Sequence, residues 1–129
     1  MGEQAVSVLV VDDQAPFRAA ARLVVRATAG FEVVGEALSG EQALQEVANL
    51  RPQLVLMDIN MEGIGGIAAT REITSKYGGT QVILLSTYNE DDLPADARDC
   101  GALAYVHKEQ FGPDILERIW ATPSAPGAP

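Results

Sequence analysis

Val6-Ser7-Val8-Leu9-Val10-Val11-Asp12-Asp13 is a short β-branched apolar run closed by two carboxylates. It reads as a strand buried on both faces, as the inner strands of a parallel sheet are. Pro16 follows where a first helical turn tolerates it, and Phe17, Ala20, Ala21, Val24 and Val25 recur at helical spacing up to Gly30. Strand and helix together make one repeating unit.

The same rhythm continues along the chain. Phe31 to Ala37 reads as a second strand, and Ser39 to Gln42 has the Ser-x-x-Gln form of a capping box opening a helix lined by Ala43, Leu44, Val47 and Leu50 and stopped before Pro52. Leu54-Val55-Leu56-Met57 is a third apolar strand ending at Asp58. The glycine-containing stretch Ile59 to Gly66 reads as a loop, after which Ile67, Thr70, Arg71 and Ile73 predict a helix up to Gly78-Gly79. Val82-Ile83-Leu84-Leu85 is a fourth strand ending at Ser86-Thr87. Asn89-Glu90-Asp91-Asp92 offers the cap and acidic first turn of a fourth helix, with Pro94 tolerable only near its start. Leu103 to His107 is a fifth strand, and Gly112-Pro113-Asp114 opens a last helix with Ile115, Leu116, Ile119 and Trp120 on one face. Five strand-then-helix repeats predict an α/β fold, an open parallel sheet with helices on both sides.

Composition narrows the function. A chain of 129 residues with 47% hydrophobic and 21% charged residues is expected to fold as one domain rather than stay disordered. The net charge of −9 argues against direct binding to nucleic acid or to an anionic membrane, and the scattered arginines form no basic cluster. Cys100 is the only cysteine, which rules out an internal disulfide framework and fits a reducing cytoplasm. No apolar run approaches a signal-peptide core or the roughly 20 residues of a membrane span, so a soluble cytoplasmic protein is expected. Residues 1–120 are expected to form the domain. Ala121 to Pro129, uncharged and with three prolines, reads as a flexible tail or a severed linker.

In a parallel sheet the binding crevice lies beyond the carboxyl ends of the strands. Asp12 and Asp13, Asp58, Ser86 and Lys108 all fall at or just past such ends. Asp12-Asp13 alone could be a solvated strand end. Three carboxylates on one edge repel one another, by about 1 kcal/mol per close pair in water and more where shielded, and a hard divalent cation such as Mg2+ would offset this. Asp58 has a second possible role, since a carboxylate beside a metal can attack phosphorus and form an acyl phosphate. Lys108 would then neutralise charge on the phosphoryl group and Ser86 would donate to one of its oxygens. Taken singly, Ser86 reads as a strand-end cap and Lys108 as a surface lysine.

The runs VLVVDD, LVLMDINMEGIGGI, VILLSTY and GALAYVHK, in this order, resemble the receiver domain of two-component response regulators over roughly residues 5 to 120. They look most like receivers of the subfamily that carries a helix-turn-helix output domain. The resemblance implies a flavodoxin-like, doubly wound, five-stranded parallel sheet. It also implies phosphorylation of Asp58 by a histidine kinase or phosphotransfer protein, with Mg2+ held by Asp13, Asp58 and the backbone carbonyl of Asn60, and by Asp12 through water. By the same resemblance Ser86 is the switch hydroxyl, Lys108 the phosphoryl-binding lysine and Tyr105 the switch aromatic. A homodimer or effector would dock on a face made by the fourth helix, the fifth strand and the last helix, with Leu93, Tyr105 and Pro113 to Trp120 named for it. Such a protein is not an enzyme beyond its own aspartyl phosphorylation and dephosphorylation. Glu62 stands where the family has proline and Gly65 where aspartate is common, which loosens the turn and adds negative charge near the site.

Two other classes compete. A haloacid-dehalogenase-type phosphatase also uses a strand-end aspartate but needs a second aspartate two residues on, where Asn60 stands. A pseudo-receiver acting only as a binding module would lack site residues that this chain keeps. Tyr105 can equally be read as a static core aromatic. His107 reads as an edge or packing residue, and Cys100 as a core residue at a helix end.

Overall fold

In the computed structural model, which describes residues 5–121, the apolar runs form five strands, β1 (Val6–Val11), β2 (Phe31–Ala37), β3 (Leu54–Asp58), β4 (Gln81–Ser86) and β5 (Ala104–His107). Four helices connect or follow them, α1 (Ala15–Ala27), α2 (Gly40–Leu50), α3 (Gly65–Lys76) and α4 (Pro113–Ala121). All pairings are parallel, in the order β2-β1-β3-β4-β5. The chain reverses its direction of travel between β1 and β3. That is the switch point at which a doubly wound sheet opens a crevice.

The period-2 alternation of a strand sorts the core into two layers. Leu9, Val11, Val55, Met57, Val82 and Leu84 face Ala43 and Val47 of α2 and Ala69 and Ile73 of α3. Val8, Val10, Leu54, Leu56, Ile83 and Leu85 face Ala21 and Val25 of α1 and Leu116 of α4. Both faces of the central strands are therefore dry, which is why their sequences run apolar without alternating. Phe31 and Trp120 close the second layer edge to face, with centroids 6.0 Å apart.

Local signals explain the helix starts. Ser39 caps α2 by accepting from the Gln42 amide at 3.0 Å, while the Gln42 side chain reaches back to the Leu38 amide at 2.8 Å, one residue outside the expected box. Pro16 sits in the first turn of α1. Residues 122–129 of the expected tail lie outside the described residues, and Ala121 is the last residue of α4.

The expected fourth helix is absent. Between β4 and β5 the chain forms two single 3-10 turns, Glu90–Asp92 and Ala95–Arg98, separated by Pro94 in an extended conformation. Proline has no amide to donate and pushes the preceding residue away from helical angles, so a helix capped at Asn89 is interrupted after one turn. Nor is there an apolar stripe to dock one, since Ala97 is the buried residue of the turns, with Cys100 after them and Leu93 half-buried. Asn89 closes the first turn through its main-chain carbonyl, which accepts from the Asp92 amide. No helix among the described residues is long and apolar enough to cross a membrane.

Candidate functional site

Register brings the site together. Val11 pairs with Met57, so Asp12 and Asp58 come next on adjacent strands, beside the switch point. Asp58 pairs with Leu85 and Ser86 with His107, so Ser86 and Lys108 each follow one residue behind on the next strands. Carboxylate oxygens of Asp12, Asp13 and Asp58 lie within 4.8 Å of one another. Asp12 and Asp58 are buried, at 1% and 4% exposure, and Asp13 is exposed.

Lys108 reaches into this cluster. Its Nζ lies 2.7 Å from Asp12 Oδ2 and 3.3 Å from Asp58 Oδ1. The ammonium is the partner of the buried Asp12 Oδ2, which keeps lone-pair capacity for a further donor or a cation. Asp12 Oδ1 accepts from the Gln14 amide at 2.8 Å, and the Asp12 carbonyl accepts from Arg18 Nη1 at 2.9 Å. Arg18 is held in turn by Glu36 of β2, which also binds Arg22.

The electrostatics are those of too few cations. Burial, and then the negative charge of Asp12, pushes the Asp58 carboxyl from 3.8 up to about 6 against the opposing pull of Lys108. Burial works against the Lys108 ammonium, but its bond to Asp12 and the charge of Asp58 outweigh that and hold it above the ordinary lysine value. One ammonium thus offsets three gathered carboxylates only in part. Three carboxylates with oxygens within 4.8 Å of one another, two of them buried, make a hard oxygen donor set that fits a divalent cation of the Mg2+ type.

Tyr88 links the remaining residues. Ser86 Oγ accepts from the Tyr88 amide at 2.9 Å, the Tyr88 hydroxyl donates to Asn60 Oδ1 at 3.2 Å, and the Tyr105 hydroxyl donates to the Tyr88 carbonyl. Tyr105 therefore stands outside the carboxylate cluster, half-buried and turned toward the loop after β4. Burial pushes its phenol above the ordinary value. His107 bridges the same loop, with Nε2 3.1 Å from the Thr87 carbonyl and Nδ1 accepting from the Glu109 amide. Cys100 is buried in the layer formed with α2 and α3.

The loop after Asp58 is shaped by glycine. A Cβ on Gly66 would fall on the Asp58 carbonyl, so only glycine lets α3 start against the end of β3. Gly65, where aspartate is common in the family that the sequence resembles, has φ +78, a conformation that favours glycine. Glu62 is exposed, and the loop is tied to α2 by Glu41, whose Oε2 accepts from the Ile64 amide at 3.1 Å.

Arg18, Glu41, Gly66 and Tyr88 carry parts of this site, and the centroid of the Phe17 ring lies 4.5 Å from Lys108 Nζ; none of the five has such a place in the sequence reading. Phe17 is masked by its place on the apolar stripe of α1, and Tyr88 by its place in the run VILLSTY, where only the serine had a chemical reason to be singled out.

Fold and site together define a class, that of doubly wound α/β proteins with a buried, lysine-paired aspartate in an acidic crevice at the switch point. Residues 8–120 match the model of the response regulator receiver domain, and the chain belongs to that family. It is 36% identical over 114 residues to "Response regulator UvrY" of Escherichia coli (strain K12), covering 88% of this chain and 52% of that protein. It is 37% identical over 116 residues to "Response regulator GacA" of Pseudomonas viridiflava, covering 90% and 53%. The chain thus spans about half the length of the curated relatives it matches. Among solved structures, the response regulator domain of Thermotoga maritima CheB superposes with a TM-score of 0.80 at 30% identity, covering 91% of this chain and 95% of that one. A two-component response regulator of the LuxR family from Aurantimonas sp. SI85-9A1 gives 0.81 at 27% identity, covering 92% and 84%. The chain is a receiver domain of two-component signalling with the flavodoxin-like fold.

Proposed function

We propose that Asp58 is the phosphoacceptor, receiving a phosphoryl group from a histidine kinase or phosphotransfer protein. One observation carries this reading. Asp58 is buried at the end of β3 with the ammonium of Lys108 3.3 Å from its Oδ1 and two further carboxylates beside it. An Asp58 carboxylate oxygen attacks the phosphorus, the P–N bond of the phosphohistidine breaks, and the imidazole leaves with the electron pair and takes up a proton. The products are an aspartyl phosphate and a neutral histidine.

Asp13, Asp58 and the Asn60 carbonyl would hold Mg2+, with Asp12 joined through water. The chemistry such an ion would supply there is neutralisation of charge on the phosphoryl oxygens. Lys108, between Asp12 and Asp58, supplies a second positive charge. Ser86 already accepts a bond from the Tyr88 amide, so its own O–H is free to donate to a phosphoryl oxygen.

A phosphoryl group adds about one and a half to two negative charges. It would draw Ser86 and Lys108 toward Asp58, and a moved Ser86 releases the Tyr88 amide whose residue Tyr105 holds from the other side. Output would pass through the face carrying Leu93, Tyr105 and α4, to a second copy or an effector, with the loop of two turns taking the place of the expected helix. In this reading the protein works in the cytoplasm, catalyses only its own phosphorylation and dephosphorylation, and uses the residues through Ala121 at the end of α4 as the receiver, with 122–129 as tail or linker. Beryllofluoride, a phosphoryl mimic, tests it. With Mg2+ present, amide shifts are expected at Asp58, Ser86, Lys108 and Tyr105. Shifts confined to Asp12, Asp13 and Asp58, with Tyr105 unmoved, would contradict the switching part.

A further inference from the structure

The Lys108 ammonium has three N–H donors and two carboxylate neighbours. On a remaining side lies the ring of Phe17, its centroid 4.5 Å from Nζ. We infer that Phe17 is a positioning residue for Lys108, holding the ammonium at Asp58 through the face of its ring. The inference rests on the phosphoacceptor reading of Asp58.

Lys108 is 13% exposed, so its ammonium has shed most of its water, and Asp12 and Asp58 restore contacts on two sides only. A ring face is the one apolar surface that still attracts a cation, through the negative face of its quadrupole. Phe17 is fixed there from both directions. It lies in the first turn of α1, directly before the Arg18 that binds the Asp12 carbonyl, and it packs on the layer formed by α1, α4 and the sheet.

The choice of a ring has a consequence for the reaction. A hydrogen bond to a fixed acceptor breaks when the ammonium moves, whereas attraction to a ring face is broad and persists as Nζ slides across it. Lys108 has to leave Asp58 Oδ1 for a phosphoryl oxygen, and Phe17 keeps it within the crevice as it does so. Leucine in place of Phe17 would keep the apolar packing and remove the attraction.

The test separates attraction from packing. Phe17 is replaced by phenylalanines carrying one, two and three ring fluorines, which weaken the negative face with little change of shape, and by Phe17→Tyr and Phe17→Leu. The rate of Asp58 phosphorylation by acetyl phosphate at saturating Mg2+ is expected to fall stepwise with fluorine number, by about two- to fivefold over the series. Phe17→Tyr should restore the wild-type rate and Phe17→Leu should match the fluorinated limit, with melting temperatures unchanged across the fluorinated set. In the same samples the Lys108 ε-methylene protons should carry an upfield ring-current shift that Phe17→Leu abolishes. A rate flat across the fluorine series, or Lys108 protons without that shift in the wild type, would overturn the inference. If the wild type takes no phosphoryl group on Asp58, the function proposed above fails instead, and the proton shift still decides whether the ring holds Lys108.

Discussion

Asp58 is the residue on which burial and charge pull hardest. Its carboxyl binds a proton more tightly in the folded protein, at about 6, than in the unfolded chain, at 3.8. Such a group contributes stability that is fully present below the lower value and lost as pH rises through the upper one. Without Mg2+, ionised Asp58 therefore destabilises the fold at neutral pH. Asp58→Asn is expected to raise stability there by about 1–2 kcal/mol and to flatten its dependence on pH between the two values, as read by chemical denaturation in EDTA. A variant less stable than wild type at neutral pH would contradict the account of burial and repulsion. Gly66 makes a steric claim at the same scale. Gly66→Ala puts a methyl group on the Asp58 carbonyl, and a loss of roughly 2 kcal/mol, with displaced Asp58 and Ile59 amide resonances, is expected.

The elements divide into those held by two dry faces and those held by little. Leu56 is 1% exposed in the middle of β3, and Leu56→Ala is expected to cost about 2–5 kcal/mol in thermal or denaturant unfolding. Of Asp91, Asp92 and Ala95 to Arg98 in the two turns, Ala97 is the buried residue, so the amides of these turns should exchange with solvent well before those of β3 and β4 in native-state hydrogen exchange. The same contrast explains what could be read from the sequence. Val8 to Val11, Leu54 to Met57 and Val82 to Leu85 were legible as strands because burial on both faces leaves an unbroken apolar run ending where the sheet ends, and those ends pointed to Asp12, Asp58 and Ser86. The fourth helix was misread because Asn89 to Asp92 supplies a start signal while the residues behind it supply neither a helical stripe nor a tolerable place for Pro94. Phe17, Arg18 and Tyr88 were illegible as parts of the site for a different reason. Their contacts join elements distant in sequence, Phe17 with Lys108, Arg18 with Glu36 and Tyr88 with Asn60 and Tyr105, and no local pattern encodes those.

For the whole molecule, folding assembles a cluster of like charges that the unfolded chain keeps apart, so a cation that binds only the folded state stabilises it by mass action. Millimolar Mg2+ is expected to raise the melting temperature of the wild type, and Asp13→Ala to abolish most of that rise while leaving the metal-free melting temperature close to wild type, since Asp13 is exposed. An undiminished rise in Asp13→Ala would remove Asp13 from the ligand set. Everything proposed for the site turns on phosphorylation of Asp58. Intact-mass measurement after incubation with acetyl phosphate tests it most directly. One phosphoryl group should appear on the wild type with Mg2+, and none should appear in EDTA or on Asp58→Asn. A mass increase that survives Asp58→Asn, or that forms equally well in EDTA, would contradict the account.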